Sequence, residues 1–397
     1  MITLFFVTHG FSGAATYAGQ MISELRKLDD FAVCEVSVDN RDVHEFMVFD
    51  LSGESASGKG YRFLFPHRSQ TGGVPKISPE FYLLEPYIDL SHPVIFHYNS
   101  ERQVRLAAKV AELSGVRTVL TCHFLSGIHT WQYLRNGKYI FDDPLSDYSR
   151  MLEHCSRVIC VTDFARRCVE TVASGDKLSV IHNGCAGIRR RRTPSLRQKY
   201  GFPADDLIIL YAGRVNDAKG VPTLLKAFDR LAGRYPRVRL LVAGQGDIAP
   251  SLERVRRHYA RITFTGNVDR HTLGEFYAIS DIGVVPSKFE QCGYVMLEMM
   301  LNGLPVVASS VPGLNEVARE GENALTVPVR ALRGEKLSLD EHRLFEALER
   351  LVCDPALRLR LGRNGRRLWG REFRVKQMTG RTIALYRNLC GDAFPVF

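Results

Sequence analysis

No apolar run in this 397-residue chain approaches the roughly 20 residues that a bilayer-spanning helix needs, so a membrane-spanning protein is not expected. The nine cysteines are odd in number, scattered, and include no C-x-x-C pair. That argues against a disulfide framework or a structural zinc site and for a reducing compartment. The apolar stretch Ile2–Val7 lacks a basic leader and runs straight into Thr8-His9-Gly10. It reads as a buried first strand, and the chain is expected to be cytoplasmic. Helix-turn-helix, zinc-finger and RNA-binding signatures are missing, which leaves nucleic acid out of the expected partners. No repeat of solenoid length is present, and the only low-complexity tract is a short arginine run. No D-x-D motif stands at a strand end and no covalent nucleophile has its base beside it, so no metal site is expected.

What remains is a soluble-type composition, 45% hydrophobic and 24% charged, on a chain long enough for two domains. The formal charge of +10 favours anionic partners such as nucleotide phosphates or an acidic membrane surface. The densest basic run, Arg189-Arg190-Arg191-Arg192, is followed by Arg197 and Lys199. It is either a solvated linker or a peripheral contact with lipid headgroups or a lipid-linked diphosphate.

Short apolar runs alternate with amphipathic segments throughout, the pattern of parallel sheets with crossover helices. Strands are predicted at Ile2–Thr8, Val94–Tyr98, Thr118–Cys122, Val158–Val161 and Ser179–Ile181, with helices near Ala14–Leu28, Ser100–Leu113 and Asp163–Ala173. Val43–Phe65, split by Ser52-Gly53 and Ser57-Gly58, is expected to add strands or a hairpin. A second series has strands at Leu207–Tyr211, Arg239–Val242, Ile262–Phe264, Ile282–Val285, Pro305–Ala308 and Ala324–Val327. Its helices fall near Val221–Leu231, Leu273–Ile279, Gly293–Leu301 and Leu314–Arg319, and a basic helical tail spans Leu357–Leu389 with a break near Gly370. The class is therefore α/β, with two doubly wound domains joined near residue 195 and ligands at the carboxyl ends of the strands.

Two segments carry the chemistry. Phe289-Glu290-Gln291-Cys292-Gly293-Tyr294-Val295-Met296-Leu297-Glu298 follows a strand and places Glu290 in a loop and Glu298 inside the next helix. Gly293 allows close backbone approach, free N–H groups at the helix start can receive phosphate or hydroxyl oxygens, and carboxylates accept from several sugar hydroxyls at once. Strand Leu207–Tyr211 runs into Ala212-Gly213-Arg214-Val215-Asn216-Asp217-Ala218-Lys219-Gly220 before a helix. There Arg214 offers a planar fork and Lys219 a point charge to a diphosphate.

Gly213-Arg214 through Lys219-Gly220 and Glu290 through Glu298 resemble the donor motifs of the retaining family-four glycosyltransferases, which have the GT-B fold. Further matches follow in the family's order: Val180-Ile181-His182-Asn183-Gly184, the turn at Gly244, Gly266-Asn267-Val268, Ser280-Asp281 with Pro286-Ser287, and Pro312-Gly313. The resemblance implies two Rossmann-like domains facing a cleft: an acceptor-side domain at 1–195 with a returning tail at 373–397, and a donor domain at 196–372. It implies that Arg214 and Lys219 bind and stabilise the departing diphosphate, that Glu298 takes the ribose, and that Glu290 holds the transferred sugar. Backbone N–H groups of Cys292, Gly293 and Tyr294 would assist, with Gly244 in the turn and Gly266 and Val268 near the base.

Thr121-Cys122-His123-Phe124 is similar to the family's "T-x-H-D" and would put His123 near the reacting centre; Phe124 replaces the usual acid. Ser12-Gly13-Ala14-Ala15 keeps one glycine, Gly13, of the family's "G-G-A-E" and lacks the glutamate. His97 resembles another family histidine, with a structural or acceptor-shaping role. Gln291-Cys292 stands where the family usually has Pro-Phe, so sugar preference is open. The implied reaction is hexose transfer from a nucleoside diphosphate sugar, uridine favoured by family frequency, to an unknown acceptor hydroxyl with configuration kept. No other cofactor is expected. A sugar-nucleotide epimerase, a glycosyl phosphorylase and a non-catalytic partner subunit remain alternatives.

Overall fold

The computed structural model describes residues 1–9, 13–39, 47–50, 61–66, 84–100, 103–123, 127–141, 147–187, 193–247, 249–252, 255 and 257–391. The chain forms two compact units, one of Met1–Leu125, Tyr139–Gly184 and Val375–Phe397, the other of Ser126–Lys138 and Cys185–Arg374. The passage at Gly184–Cys185 comes earlier in the chain than the arginine run near which the sequence placed it. The helix Gly127–Asn136 also belongs to the second unit, where the Trp131 indole donates to the Leu332 carbonyl at 2.7 Å.

The first unit is built on β1 (Ile2–His9), β2 (Phe31–Asp39), β3 (Met47–Asp50), β4 (Tyr61–Pro66), β5 (Val94–Tyr98), β6 (Val116–Cys122), β7 (Arg157–Cys160) and β8 (Leu178–Val180). Their order across the sheet is β3-β4-β2-β1-β5-β6-β7-β8, all parallel except for β3 against β4. A parallel sheet covered by helices on both faces buries its strands completely, and β5 shows this with every residue buried. The helix Val375–Cys390 returns to this unit. Its Tyr386 is fully buried and its hydroxyl bonds His97 Nδ1 on β5. The tail breaks at Phe373-Arg374, just beyond the Gly370 that the sequence marked.

The second unit carries β9 (Leu207–Ala212), β10 (Val238–Ala243), β11 (Ile262–Gly266), β12 (Ile282–Val285), β13 (Val306–Ser310), β14 (Ala324–Ala331) and β15 (Leu337–Leu339). The order is β11-β10-β9-β12-β13-β14-β15, parallel apart from β15. Strand succession reverses between β9 and β12, which pair through Ile282 with Ile209 and Gly283 with Leu210. A doubly wound sheet opens its binding crevice at such a switch point, outside the carboxyl ends of the two strands.

Two parts of the basic stretch prove structural. Arg197 is 4% exposed, and its guanidinium donates to the Ile279, Ala204 and Asp206 carbonyls and to Asp281 Oδ2 at 2.6 Å. Lys199 pairs with Glu275 at 2.6 Å. Arg189–Arg192 lie outside the described residues.

Candidate active site

The loops leaving β9 and β12 hold the predicted cations and acids, and side chains zip the two loops together. Lys288 N donates to the Ala218 carbonyl at 2.9 Å, and Lys288 Nζ meets Asp217 at 2.7 Å. Next to this tie, Lys219 forms an ion pair with Glu290, and the Ser287 hydroxyl donates to Glu290 Oε1 at 3.1 Å. Side-chain exposure of 23% for Lys219 and 18% for Glu290 places the pair in a partly desolvated setting, where charge interactions are screened less than at the surface.

Glycine permits this close approach. Gly220 has φ +71°, and a Cβ there would lie 2.0 Å from the Pro286 carbonyl oxygen of the facing loop. Gly244, at the end of β10, has φ +145°, and its Cβ would lie 1.8 Å from the Gly213 oxygen. Gly220 and Gly244 are therefore seams between loops, since a side chain at either would push the facing backbone away. Gly244 N also donates to the Gly266 carbonyl at 2.9 Å, and Asn267 Nδ2 to Gln245 Oε1 at 2.5 Å, so the β10 and β11 loops are joined as well. Val268 is half-buried just beyond them.

Arg214 is exposed, and its carbonyl accepts from the Tyr211 hydroxyl at 2.5 Å. Burial raises the Tyr211 phenol's pKa; the negative charge of Glu290 adds to this and the positive charge of Arg214 opposes it. Both charges thus act on one buried ring from opposite directions. Gly293 caps the helix Tyr294–Leu301 in the left-handed region, with Cys292 buried before it and Tyr294 half-buried after it. Glu298, on that helix, accepts from the Tyr277 hydroxyl at 2.7 Å. Burial raises its carboxyl pKa, opposed by the Tyr277 hydrogen bond and the Arg270 charge. Beside it is a small cavity lined by Gly187, Arg270, Leu273, Tyr277, Glu298 and Asn302. Tyr277 was not singled out from sequence, because nothing local marks a hydroxyl that folds back on a carboxylate of another helix.

His123 and Gly13 belong to the first unit. Asn99, following β5, links their surroundings: Nδ2 donates to the Ala14 carbonyl at 2.7 Å, and Oδ1 lies 2.5 Å from His123 Nε2. With the amide's orientation set by Ala14, the oxygen accepts from His123 Nε2–H, leaving Nδ1 as the unprotonated nitrogen. Burial pushes the His123 pKa down to about 3, so the imidazole is neutral at ordinary pH. His97 is fully buried, with its pKa pushed to about 3 by burial and then by His123, and its Nε2 lies 2.7 Å from Thr121 Oγ1. These contacts tie His97 to the neighbouring strand and to the returning helix. Gly13 opens the first helix; Ser12 and Phe124 lie outside the described residues. Asn99 could have been noticed as an amide at the end of a buried strand next to β1.

Among the described residues no group of three or more His, Cys, Asp or Glu is arranged to hold a metal, and none of the nine cysteines is disulfide-bonded. No described helix is long and apolar enough to cross a membrane.

Comparison with known proteins agrees with this architecture. Residues 11–186 match the model described as Glycosyltransferase Family 4, and residues 206–354 that of Glycosyl transferases group 1. An alpha-D-kanosaminyltransferase of Streptomyces kanamyceticus is 30% identical over 201 residues, half of each chain. An uncharacterised glycosyltransferase of Methanocaldococcus jannaschii is 31% identical over 221 residues, covering 51% of this chain and 56% of that one. The chain thus spans about half the length of these relatives. Among solved structures, sucrose-phosphate synthase from Thermosynechococcus elongatus superposes with TM-score 0.71 at 21% identity, over 99% of this chain and 100% of that one. Anabaena HepE, solved in complex with UDP-glucose, gives 0.71 at 16% identity over 96% and 98%. With both halves matched and the fold shared, the chain belongs to the family-four, group 1 glycosyltransferases of the GT-B fold.

Proposed function

We propose that this protein is a retaining, metal-independent hexosyltransferase that uses a nucleoside diphosphate sugar. The observation that carries the reading is the meeting of Lys219 with Glu290 at the switch point of the second sheet, with Arg214 on the same loop and Glu298 one helix turn and more beyond. In the reaction the bond between the anomeric carbon and the diphosphate oxygen breaks. The acceptor oxygen bonds that carbon from the same face, and its proton passes to the departing phosphate. Negative charge grows on the diphosphate as it leaves, and fixed cations stabilise that charge without reorganising at the moment of reaction. Arg214 grips two oxygens through its fork, and Lys219, exchanging Glu290 for phosphate, adds a point charge. Glu290 is then free to accept from the hexose hydroxyls, and Glu298 accepts from the ribose. His123, in the first unit, is neutral with Nδ1 unprotonated and can accept a hydrogen bond there. The UDP-glucose held by HepE supports uridine as the base. Exclusion of water around the bound donor would limit hydrolysis.

A panel of nucleoside diphosphate sugars, scored for thermal stabilisation and slow donor hydrolysis, tests the reading. At least one donor should raise the unfolding temperature and release nucleoside diphosphate faster than the protein-free control. Release of an isomerised sugar without acceptor would favour an epimerase instead, and a sugar phosphate formed only with added inorganic phosphate would favour a phosphorylase.

A further inference from the structure

The helix Pro355–Glu372 has one face with a use and another without an assigned one. Its inner face buries Leu357, Leu361 and Leu368. Of its six arginines, Arg358 is spent on structure, since its guanidinium donates to the Val352 carbonyl at 2.9 Å. Arg371 is paired with Glu372 at 2.6 Å. Arg360, Arg363 and Arg367 are exposed and make no hydrogen bond, ion pair or ring contact with any described residue. At 3.6 residues per turn, residues 360, 363, 367 and 371 fall within an arc of about 80°. They form a straight cationic stripe roughly 16 Å long at 1.5 Å per residue. No acidic residue occurs between Pro355 and Arg371, and Leu359, beside the stripe, is 55% exposed.

Ordinary solvated helix faces mix both signs of charge, and i,i+4 pairs relieve the repulsion between like charges. Here the repulsion is kept and an apolar side chain is left in water next to it. That combination suits a planar anionic surface with an apolar layer beneath: arginines meet phosphates and a leucine enters the headgroup boundary. A nucleic acid would offer phosphates but no use for Leu359, and the stripe carries no aromatic side chain for stacking on bases.

We propose that the outer face of this helix docks the protein on anionic phospholipid, with Arg360, Arg363 and Arg367 contacting headgroups and Leu359 inserting. The site is independent of the sugar-nucleotide reading and needs no donor to be tested. The full chain is sedimented with phosphatidylcholine vesicles containing or lacking about a third phosphatidylglycerol, at low and at high salt. Wild type should bind the anionic vesicles at low salt only, because exposed charges are screened within about 10 Å at 0.1 M. R360Q/R363Q/R367Q should lower the partition coefficient about 100-fold, near fivefold for each arginine. The triple R237Q/R330Q/R343Q, with the same loss of charge elsewhere on the unit, should bind as wild type. Unfolding midpoints of both triples are measured alongside, and the three single variants preserve the test if a triple misfolds. The proposal is overturned if wild type ignores anionic vesicles, if both triples lose binding equally, or if wild type retains a duplex RNA but no vesicles.

Discussion

Replacing Lys219 with methionine removes one charge while keeping most of the side chain's length and apolar stem. In the structure the ammonium pairs with Glu290, and both side chains are less than a quarter exposed. A hydrogen bond to a charged group contributes about 1.5–3 kcal/mol to stability. Glu290 keeps the Ser287 hydroxyl at 3.1 Å and some water, so part of that is recovered and about 1–2 kcal/mol should be lost. At about 2–4 °C per kcal/mol for a unit of this size, calorimetry should record a fall of roughly 2–8 °C. Catalysis should suffer far more, because the same ammonium is assigned to the departing diphosphate. Loss of one preorganised stabilising group typically costs about 10²–10³ in kcat. Glu290→Gln should cost less stability when Lys219 is already methionine than when it is not, since the two interact directly. The assay is single-turnover donor cleavage beside calorimetry on the two single variants and the double. A K219M enzyme with wild-type turnover would refute the reasoning, even if its midpoint fell as expected.

Glu298→Gln should separate stability from function. Burial raises the folded carboxyl above its unfolded value, so its contribution is present at low pH and is lost as pH rises through the folded pKa. Removing the buried charge should therefore raise the unfolding temperature at pH 7.5, with the gain vanishing below about pH 4.3, while donor affinity drops. His97, held to about 3 by burial, stays neutral in the fold while an unfolded histidine takes up protons below about 6.5. Its contribution to stability is therefore lost as pH falls through that window, by about 2 kcal/mol at pH 5, and His97→Asn should flatten the dependence seen in urea unfolding. Gly244→Ala, whose Cβ would lie 1.8 Å from the Gly213 oxygen, should abolish donor binding or soluble expression. Gly380→Ala, on an exposed helix face with no atom within 4 Å of the new Cβ, should instead gain up to about 1 kcal/mol.

The second unit was more legible than the first, for physical reasons. Strands such as Leu207–Ala212 and Ile282–Val285 are apolar runs closed by Gly213 and Pro286, and all four residues of the latter are buried. Strand β2 escaped notice because Glu35 interrupts the apolar pattern of Phe31–Asp39; in the fold its carboxylate faces Arg26 at 3.4 Å. Met47–Asp50 and Tyr61–Pro66 form the antiparallel pair that the turn chemistry had implied. The predicted helix Leu314–Arg319 is a single turn, Pro312–Asn315, followed by turns, and the amphipathic helix Glu341–Cys353 was passed over. Glycines and cations at the donor loops were readable because the chain needs them next to strand ends. Partners supplied from far away, such as Tyr277 for Glu298 and Asn99 for His123, were not, since tertiary contact alone selects them.

The most direct test is a crystal structure of the protein with a nucleoside diphosphate hexose that it stabilises. The account predicts the Lys219–Glu290 pair opened around the ligand, Lys219 and Arg214 on the diphosphate, Glu290 on the hexose and Glu298 on the ribose. A ligand bound elsewhere, with that ion pair still closed, would contradict it.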